Sequence, residues 1–228
     1  MGKALSVTPS DFQAQMRWLH EHGEHSVTLA QLRESLHGGA PLPAHPVVLT
    51  FDDGFADFLT VAVPVLQRYD LTATVFAVSG FIDRPAHLSV AQLQAVVRAG
   101  MVIGAHTVSH PDLTTLPTPA AEREIAGSKS SLEAWTGQMV TDFAYPAGRF
   151  NPAVEKQVAA AGFLDAVTTG IGVNHAGENP FAWSRVRVSG GESLPGFARS
   201  LQIGVPDVPS TGCSPGAPEP GASLRAAA

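Results

Sequence analysis

The sequence predicts an α/β fold: one parallel sheet, open or curled into a barrel, with helices packed outside it. Three observations carry that prediction. Short apolar runs rich in β-branched residues recur along the chain, bounded by turn residues. Segments of helical period, with their own start and stop residues, separate those runs. Polar and unusual residues gather where the runs end. Regular alternation of strand and helix is what parallel pairing requires, because each return crossover needs a helix-sized connection. With 228 residues, 44% hydrophobic and 15% charged, the chain suits one large domain or two small ones and is too apolar for wholesale disorder.

The elements follow in order. TPSDFQAQMRWLHEHG (8–23) is a helix: Thr8 caps it, Pro9 sits in the first turn, Phe12, Met16 and Leu19 share a face, and Gly23 stops it. LAQLRESLHGG (29–39) repeats that design over a shorter span. PVVLTF (46–51) reads as a fully buried strand, and FADFLTVAVPVLQRYD (55–70) as a helix that Pro64 bends or interrupts. TATVFAVSG (72–80) is a strand, and SVAQLQAVVRAG (89–100) a helix running from its Ser89 cap to Gly100. MVIGAH (101–106) is a strand, and TPAAEREIAGSKSSLEAWTG (118–137) a longer helix ended by Gly137. DFAYP (142–146) is a short strand, and NPAVEKQVAAAG (151–162) a helix with Asn151 as cap and Pro152 at its first position. LDAVTTG (164–170) and SRVRVSG (184–190) supply two more strands. No internal repeat is found. From Val205 the composition turns to Pro, Gly, Ser and Ala, so residues 1–204 are assigned to one domain and 205–228 to a disordered tail.

The polar residues occupy strand ends. Asp52 and Asp53 follow PVVLTF, His106 closes MVIGA, and Tyr145–Pro146 close DFA. In parallel α/β sheets these C-terminal ends share one rim, where active sites are built. Two neighbouring carboxylates disfavour each other's ionisation unless a positive charge lies beside them. His106 and His110 stand four apart, and Pro111 disfavours a helix at His110, so a strand end running into a turn is expected. Two imidazoles and one carboxylate suit a divalent transition ion with open positions, while the other aspartate stays free to take a proton. Asp53–Gly54 also reads as an ordinary turn dipeptide, which explains the glycine but not the histidines.

Composition excludes several classes. A net charge of −6 offers no basic footprint for nucleic acid. The single cysteine, Cys213, rules out an internal disulfide framework or a thiolate metal cluster. No window is apolar for long enough to span a bilayer. The opening MGKALSVTPSDF lacks an apolar core, so no secretory signal is read in this chain and its location is left unassigned.

TFDDG (50–54), HTVSHPDL (106–113) and FAYPAG (143–148), in that order, resemble the first three motifs of the NodB-homology polysaccharide deacetylases, carbohydrate esterase family 4. RVRV (185–188) followed by FARSL resembles the end of that domain, so the resemblance covers nearly everything except the tail. It implies a distorted, incomplete (β/α)7 barrel and hydrolysis of N-acetyl groups on an N-acetylglucosamine-containing polysaccharide. It also implies one divalent ion, Zn first, with Co, Ni, Fe or Mn as alternatives. Carried over by position, it makes Asp52 the general base and Asp53, His106 and His110 the metal ligands. Tyr145 and Pro146 fall in the substrate groove, and the backbone N–H of Ala147 helps hold the tetrahedral oxyanion, a role that tolerates alanine. FAYPAG is similar to the subgroup acting on poly-β-1,6-N-acetylglucosamine. The implied partner is an amino-sugar polysaccharide, the implied place is the cell envelope or outside it, and a monomer is expected.

The chain departs from that pattern in two ways. The family's base-orienting arginine would stand where this chain has Ala144; Arg149, Arg185 and Arg187 are the substitutes, at least two of them expected in exposed or structural roles. The tryptophan-bearing fourth motif and the late histidine that protonates the leaving amine are not recognisable. His175, in the apparent loop GVNHAGENP, is the remaining candidate acid; return of the proton by Asp52 itself is the preferred alternative. Trp183, just before SRVRV, is the expected sugar platform, whereas Trp18 and Trp135 fall in helices and are expected in the core. His20, His22 and His25 are read as solvated surface. Two further readings stay open: the same fold acting on a small amide or lipid-linked sugar, and a degenerate carbohydrate-binding protein.

Overall fold

The computed structural model describes residues 5–201 and 225–227. Seven strands lie side by side in sequence order: β1 (His25–Ser26), β2 (Pro46–Phe51), β3 (Thr74–Ala77), β4 (Val102–Ala105), β5 (Asp142–Ala144), β6 (Asp165–Ile171) and β7 (Trp183–Arg185). Every neighbouring pair is parallel, and the sheet curls into a half-barrel. Around it run α1 (Pro9–Glu21), α2 (Leu29–Leu36), α3 (Val63–Arg68), α4 (Val90–Arg98), α5 (Thr118–Thr136), α6 (Pro152–Ala160) and α7 (Leu194–Ser200). No helix among the described residues is long and apolar enough to cross a membrane.

The helices start where their caps dictate. Thr8 accepts from the Asp11 N–H, Ser89 and Gln92 form a reciprocal capping box, and Asn151 accepts from two backbone amides of the first turn. Both faces of the sheet are covered, which is why its strands read as continuous apolar runs. Val47, Leu49, Val75, Ile103, Phe143 and Ala166 pack outward with helix residues such as Leu19, Leu66, Leu93, Ile125 and Val158. The alternate residues Val48, Phe76, Ala144, Val167 and Trp183 pack inside the curl with Leu29 and Leu32 of α2. Arg33 of α2 reaches Asp142 and Asp165, the first residues of β5 and β6, so this helix sits at the N-terminal ends of the strands.

Three local readings change and one is refined. The two-residue β1 was not foreseen. The interruption expected at Pro64, which lacks an N–H for the helical ladder, takes the form of a π-helical turn, Phe58–Ala62, ahead of α3. The last strand spans only Trp183–Arg185 because its irregular register with β6 ends at Ile171↔Arg185. Arg225–Ala227, assigned to the tail, form β8, paired in parallel with β2. The domain boundary at 204 and the rest of the tail lie outside the described residues.

Candidate active site

Three strand ends on the C-terminal rim of the sheet, those of β2, β4 and β5, turn sharply. Beyond β2, Asp53 has φ 72° and Gly54 φ 75°; a Cβ at Gly54 would lie 3.2 Å from Ala77 Cα, so the turn passes close against β3 in a conformation that favours glycine. Beyond β4, Thr107 has φ 67° and His110 φ 60°. Beyond β5, Ala147 has φ 53° in the tight turn Pro146–Gly148. Non-glycine residues at positive φ are uncommon, and their clustering marks a site held in shape by its surroundings.

These turns bring together Asp53, His106 and His110. His106 is 2% exposed, and its Nδ1 lies 2.7 Å from the Ala144 carbonyl, an acceptor, so Nδ1 carries the proton and Nε2 the lone pair. Burial, the largest influence on it, holds this imidazole below its ordinary 6.5, in the neutral form a metal ligand needs. His106 Nε2 stands 3.7 Å and His110 Nε2 3.6 Å from Asp53 Oδ1. The three ligand atoms all lie within 4.8 Å of one another. Tetrahedral ligands at bond lengths of about 2.0–2.2 Å stand roughly 3.3–3.6 Å apart, so the two separations from Asp53 match such a site and the trio could hold one divalent ion by closing slightly around it.

Asp52 is held differently. Arg185, 3% exposed at the end of β7, donates from Nη1 to Oδ1 and from Nη2 to Oδ2, both at 2.9 Å. The guanidinium is itself fixed by the Thr168 carbonyl at 2.9 Å and by the Thr50 hydroxyl at 3.1 Å. Burial pushes the Asp52 pKa up, but the charge and hydrogen bonds of Arg185, with smaller help from His106 and His110, bring it down to about 2. Of the three candidate arginines, Arg185 is therefore the one that the structure brings to Asp52. Arg149 instead pairs with Asp112 on the surface, 65% exposed, and Arg187 is exposed.

Other expected residues divide. Pro146 is buried, Ala147 is exposed, and no partner among the described residues takes the Ala147 N–H. Tyr145 is corrected from groove to core: it is 1% exposed, donates its hydroxyl to the Phe181 carbonyl at 3.0 Å and stacks on Phe150 at 4.8 Å. Trp183 is also corrected: at 1% exposed on the inner face of β7, it has no free face for a sugar. His175 is buried, with Nδ1 2.7 Å from Glu178 Oε2 and its ring against Trp183; no hydrogen bond or ion pair joins it to Asp52 or the trio. Trp18 and Trp135 pack partly buried against the core. His20, His22 and His25 are exposed and join no metal-ligating group among the described residues.

Comparison with known proteins places this geometry. A sequence profile for the polysaccharide deacetylase family matches residues 39–165. The Bacillus subtilis protein YxkH is 32% identical over 201 residues, 88% of this chain and 72% of that protein. The Escherichia coli poly-beta-1,6-N-acetyl-D-glucosamine N-deacetylase is 44% identical over 82 residues, which is 36% of this chain and only 12% of that protein. Among solved structures, Streptococcus pyogenes deacetylase PplD in complex with acetate superposes with a TM-score of 0.81 at 29% identity, covering 86% of this chain and 88% of that one. IcaB from Ammonifex degensii gives 0.77 at 26% identity, covering 86% and 89%.

Proposed function

Since this chain belongs to the polysaccharide deacetylase family, we propose that it is a metal-dependent hydrolase removing N-acetyl groups from an N-acetylglucosamine-containing polysaccharide. One observation carries the reading: Asp53, His106 and His110 converge beside an Asp52 that is clamped separately by Arg185. Asp53, His106 and His110 would hold one divalent ion, zinc first, which would supply Lewis acidity towards the acetamide carbonyl and the attacking water. Asp52, ionised throughout the neutral range, takes the water's proton. Arg185 keeps both carboxylate oxygens in one orientation, and the Ala147 N–H donates to the oxyanion of the tetrahedral intermediate. As the C–N bond breaks, Asp52 returns its proton to the leaving nitrogen, giving acetate and a free amine. The Arg185 fork meets the main objection raised by Ala144.

The E. coli relative's name supports the polymer, and the acetate in the PplD structure supports the acyl group. The test incubates the purified chain with N-acetylglucosamine oligomers and added Zn²⁺ or Co²⁺ and measures acetate. Metal-dependent release is expected. Oligomer binding with no release favours the carbohydrate-binding reading, and release only from small amides favours the other hydrolase.

A further inference from the structure

Glu124 on α5 touches none of the trio, yet its carboxylate is committed to the turn that joins two of its members. Oε2 accepts from the Val108 N–H at 2.9 Å and from the Ser109 N–H at 2.8 Å, and Oε1 accepts from the Ser109 hydroxyl at 2.7 Å. We infer that Glu124 is a positioning residue that holds His110 at the spacing from His106 and Asp53 that one divalent ion requires. The inference rests on the metal reading above and names what sets the ligand spacing within it.

The turn needs outside restraint. Thr107 and His110, at its two ends, have φ values of 67° and 60°, and a β-branched residue at positive φ is a steric outlier. Such conformations persist only where surrounding contacts over-determine them. Here the contacts come from two sides. The Ser79 N–H donates to the Thr107 carbonyl at 3.0 Å and the Gly80 N–H to the Val108 carbonyl at 2.8 Å. A Cβ at Gly80 would lie 2.4 Å from that carbonyl oxygen, so glycine is what permits the approach. Glu124 takes the two amides on the opposite side, and the Thr107 hydroxyl accepts the His110 N–H at 2.9 Å. From the Thr107 carbonyl to the Ser109 N–H, every backbone polar group has a partner.

The two histidines are therefore anchored unequally. His106 is buried and tied to the Ala144 carbonyl, so it keeps its place whatever happens on α5. His110 is half-buried and depends on the turn. Removing Glu124 releases Val108 and Ser109 to water and lets His110 drift while the other two ligands stay.

The test titrates the full chain with Co²⁺ and reads both affinity and the visible absorption of the bound ion. The variants are Glu124→Ala, Glu124→Asp and Glu124→Gln, each measured where circular dichroism shows it folded. Aspartate is one methylene too short to span the same donors. Glutamine keeps the reach: its oxygen can accept both amides while its NH₂ donates to Ser109 Oγ. Glu124→Ala and Glu124→Asp should weaken Co²⁺ binding about 10–100-fold with a changed spectrum, and Glu124→Gln should stay within about threefold of the parent. If the alanine variant does not fold, the aspartate and glutamine pair decides. Parent-like affinity and spectrum in a folded alanine or aspartate variant would overturn the inference and leave the proposed function standing. A glutamine variant as weak as aspartate would also overturn it, because charge rather than positioning would then be at work. A parent chain that takes up no Co²⁺ would sink both readings together.

Discussion

In the proposed reaction two identical neighbours, Asp52 and Asp53, are given different tasks because only Asp52 is already engaged by a guanidinium. Asp52 faces the Arg185 fork with both oxygens, whereas Asp53 Oδ1 faces two imidazole nitrogens. Asp52→Asn should therefore keep Co²⁺ uptake and lose turnover by about 10²–10⁴-fold, the usual worth of general-base assistance. Asp53→Asn should lose uptake itself, and equal uptake loss in both variants would reverse the assignment. His106→Ala should end stoichiometric binding in calorimetry; tight single-site binding in that variant would remove the trio from consideration. Arg185→Lys tests the fork. An ammonium is a point charge and cannot hold two carboxylate oxygens in a fixed plane. With the base misplaced, kcat should fall by about 10²-fold while KM and Co²⁺ uptake change little. Unaltered kcat in the lysine variant would show that one contact to Asp52 suffices.

Individual strands decide which of these residues could be read in advance. The Asp52–Asp53 pair, His106 and His110 stood out because apolar runs end abruptly in DDG and HTVSH, whereas the choice of Asp53 over Asp52 as the partner of the histidines came from the family resemblance alone. β1 was not: two residues, His25–Ser26, carry no apolar pattern, and their place comes from pairing, with the His25 N–H donating to the His45 carbonyl and the Val27 N–H to the Val47 carbonyl, both at 2.9 Å. Strand parity explains the misread aromatics. β7 begins at Trp183, so Trp183 and Arg185 share the inner face; the alternation that removes the tryptophan from the groove delivers the arginine to Asp52. Phe143 on β5 and Tyr145 just beyond its end share the outward side, which puts the tyrosine in the cluster packed against the helices. Glu124 was invisible, since a glutamate on a partly exposed helix face has no pattern of its own. The β5 turn yields its own prediction. At Gly148, φ is 68° and a Cβ would lie 2.1 Å from Thr169 Oγ1 and 2.5 Å from Thr169 N. Gly148→Ala combines overpacking with a positive φ and should cost about 2–4 kcal/mol in urea unfolding. An unchanged midpoint would mean that the turn shifts freely against β6.

Across the whole molecule, the end opposite the active site carries a charge problem of its own. Asp142 and Asp165 begin β5 and β6 as register partners, both almost fully buried, and one guanidinium, Arg33 of α2, faces the two. Two buried carboxylates against one cation leave one negative charge in excess unless a proton stays. Burial is the largest influence on each and raises both pKa values above the ordinary 3.8; the Asp142 charge helps carry Asp165 well above it. The folded chain therefore keeps a proton that the unfolded chain releases. That contribution to stability is complete below the ordinary value and is lost as pH rises through the raised one. Asp52 works in the other sense: its pKa, lowered to about 2, gives stability that is present above 3.8 and lost in acid. The pair's share of the metal-free unfolding free energy should thus decline as pH rises above about 4, while His106, held below 6.5, adds an opposite rise common to parent and variant; Asp165→Asn should lack the declining share, so parent minus variant should fall with pH. Asparagine keeps the size, accepts from Arg33 through its carbonyl, donates to Asp142 through its NH₂, and needs no proton. Urea unfolding across that range, with m-values compared so that denatured-state changes are recognised, measures the slope. A variant destabilised by the same amount at every pH would show instead that Asp165 is already ionised in the fold, with Arg33 alone sufficient to hold both charges.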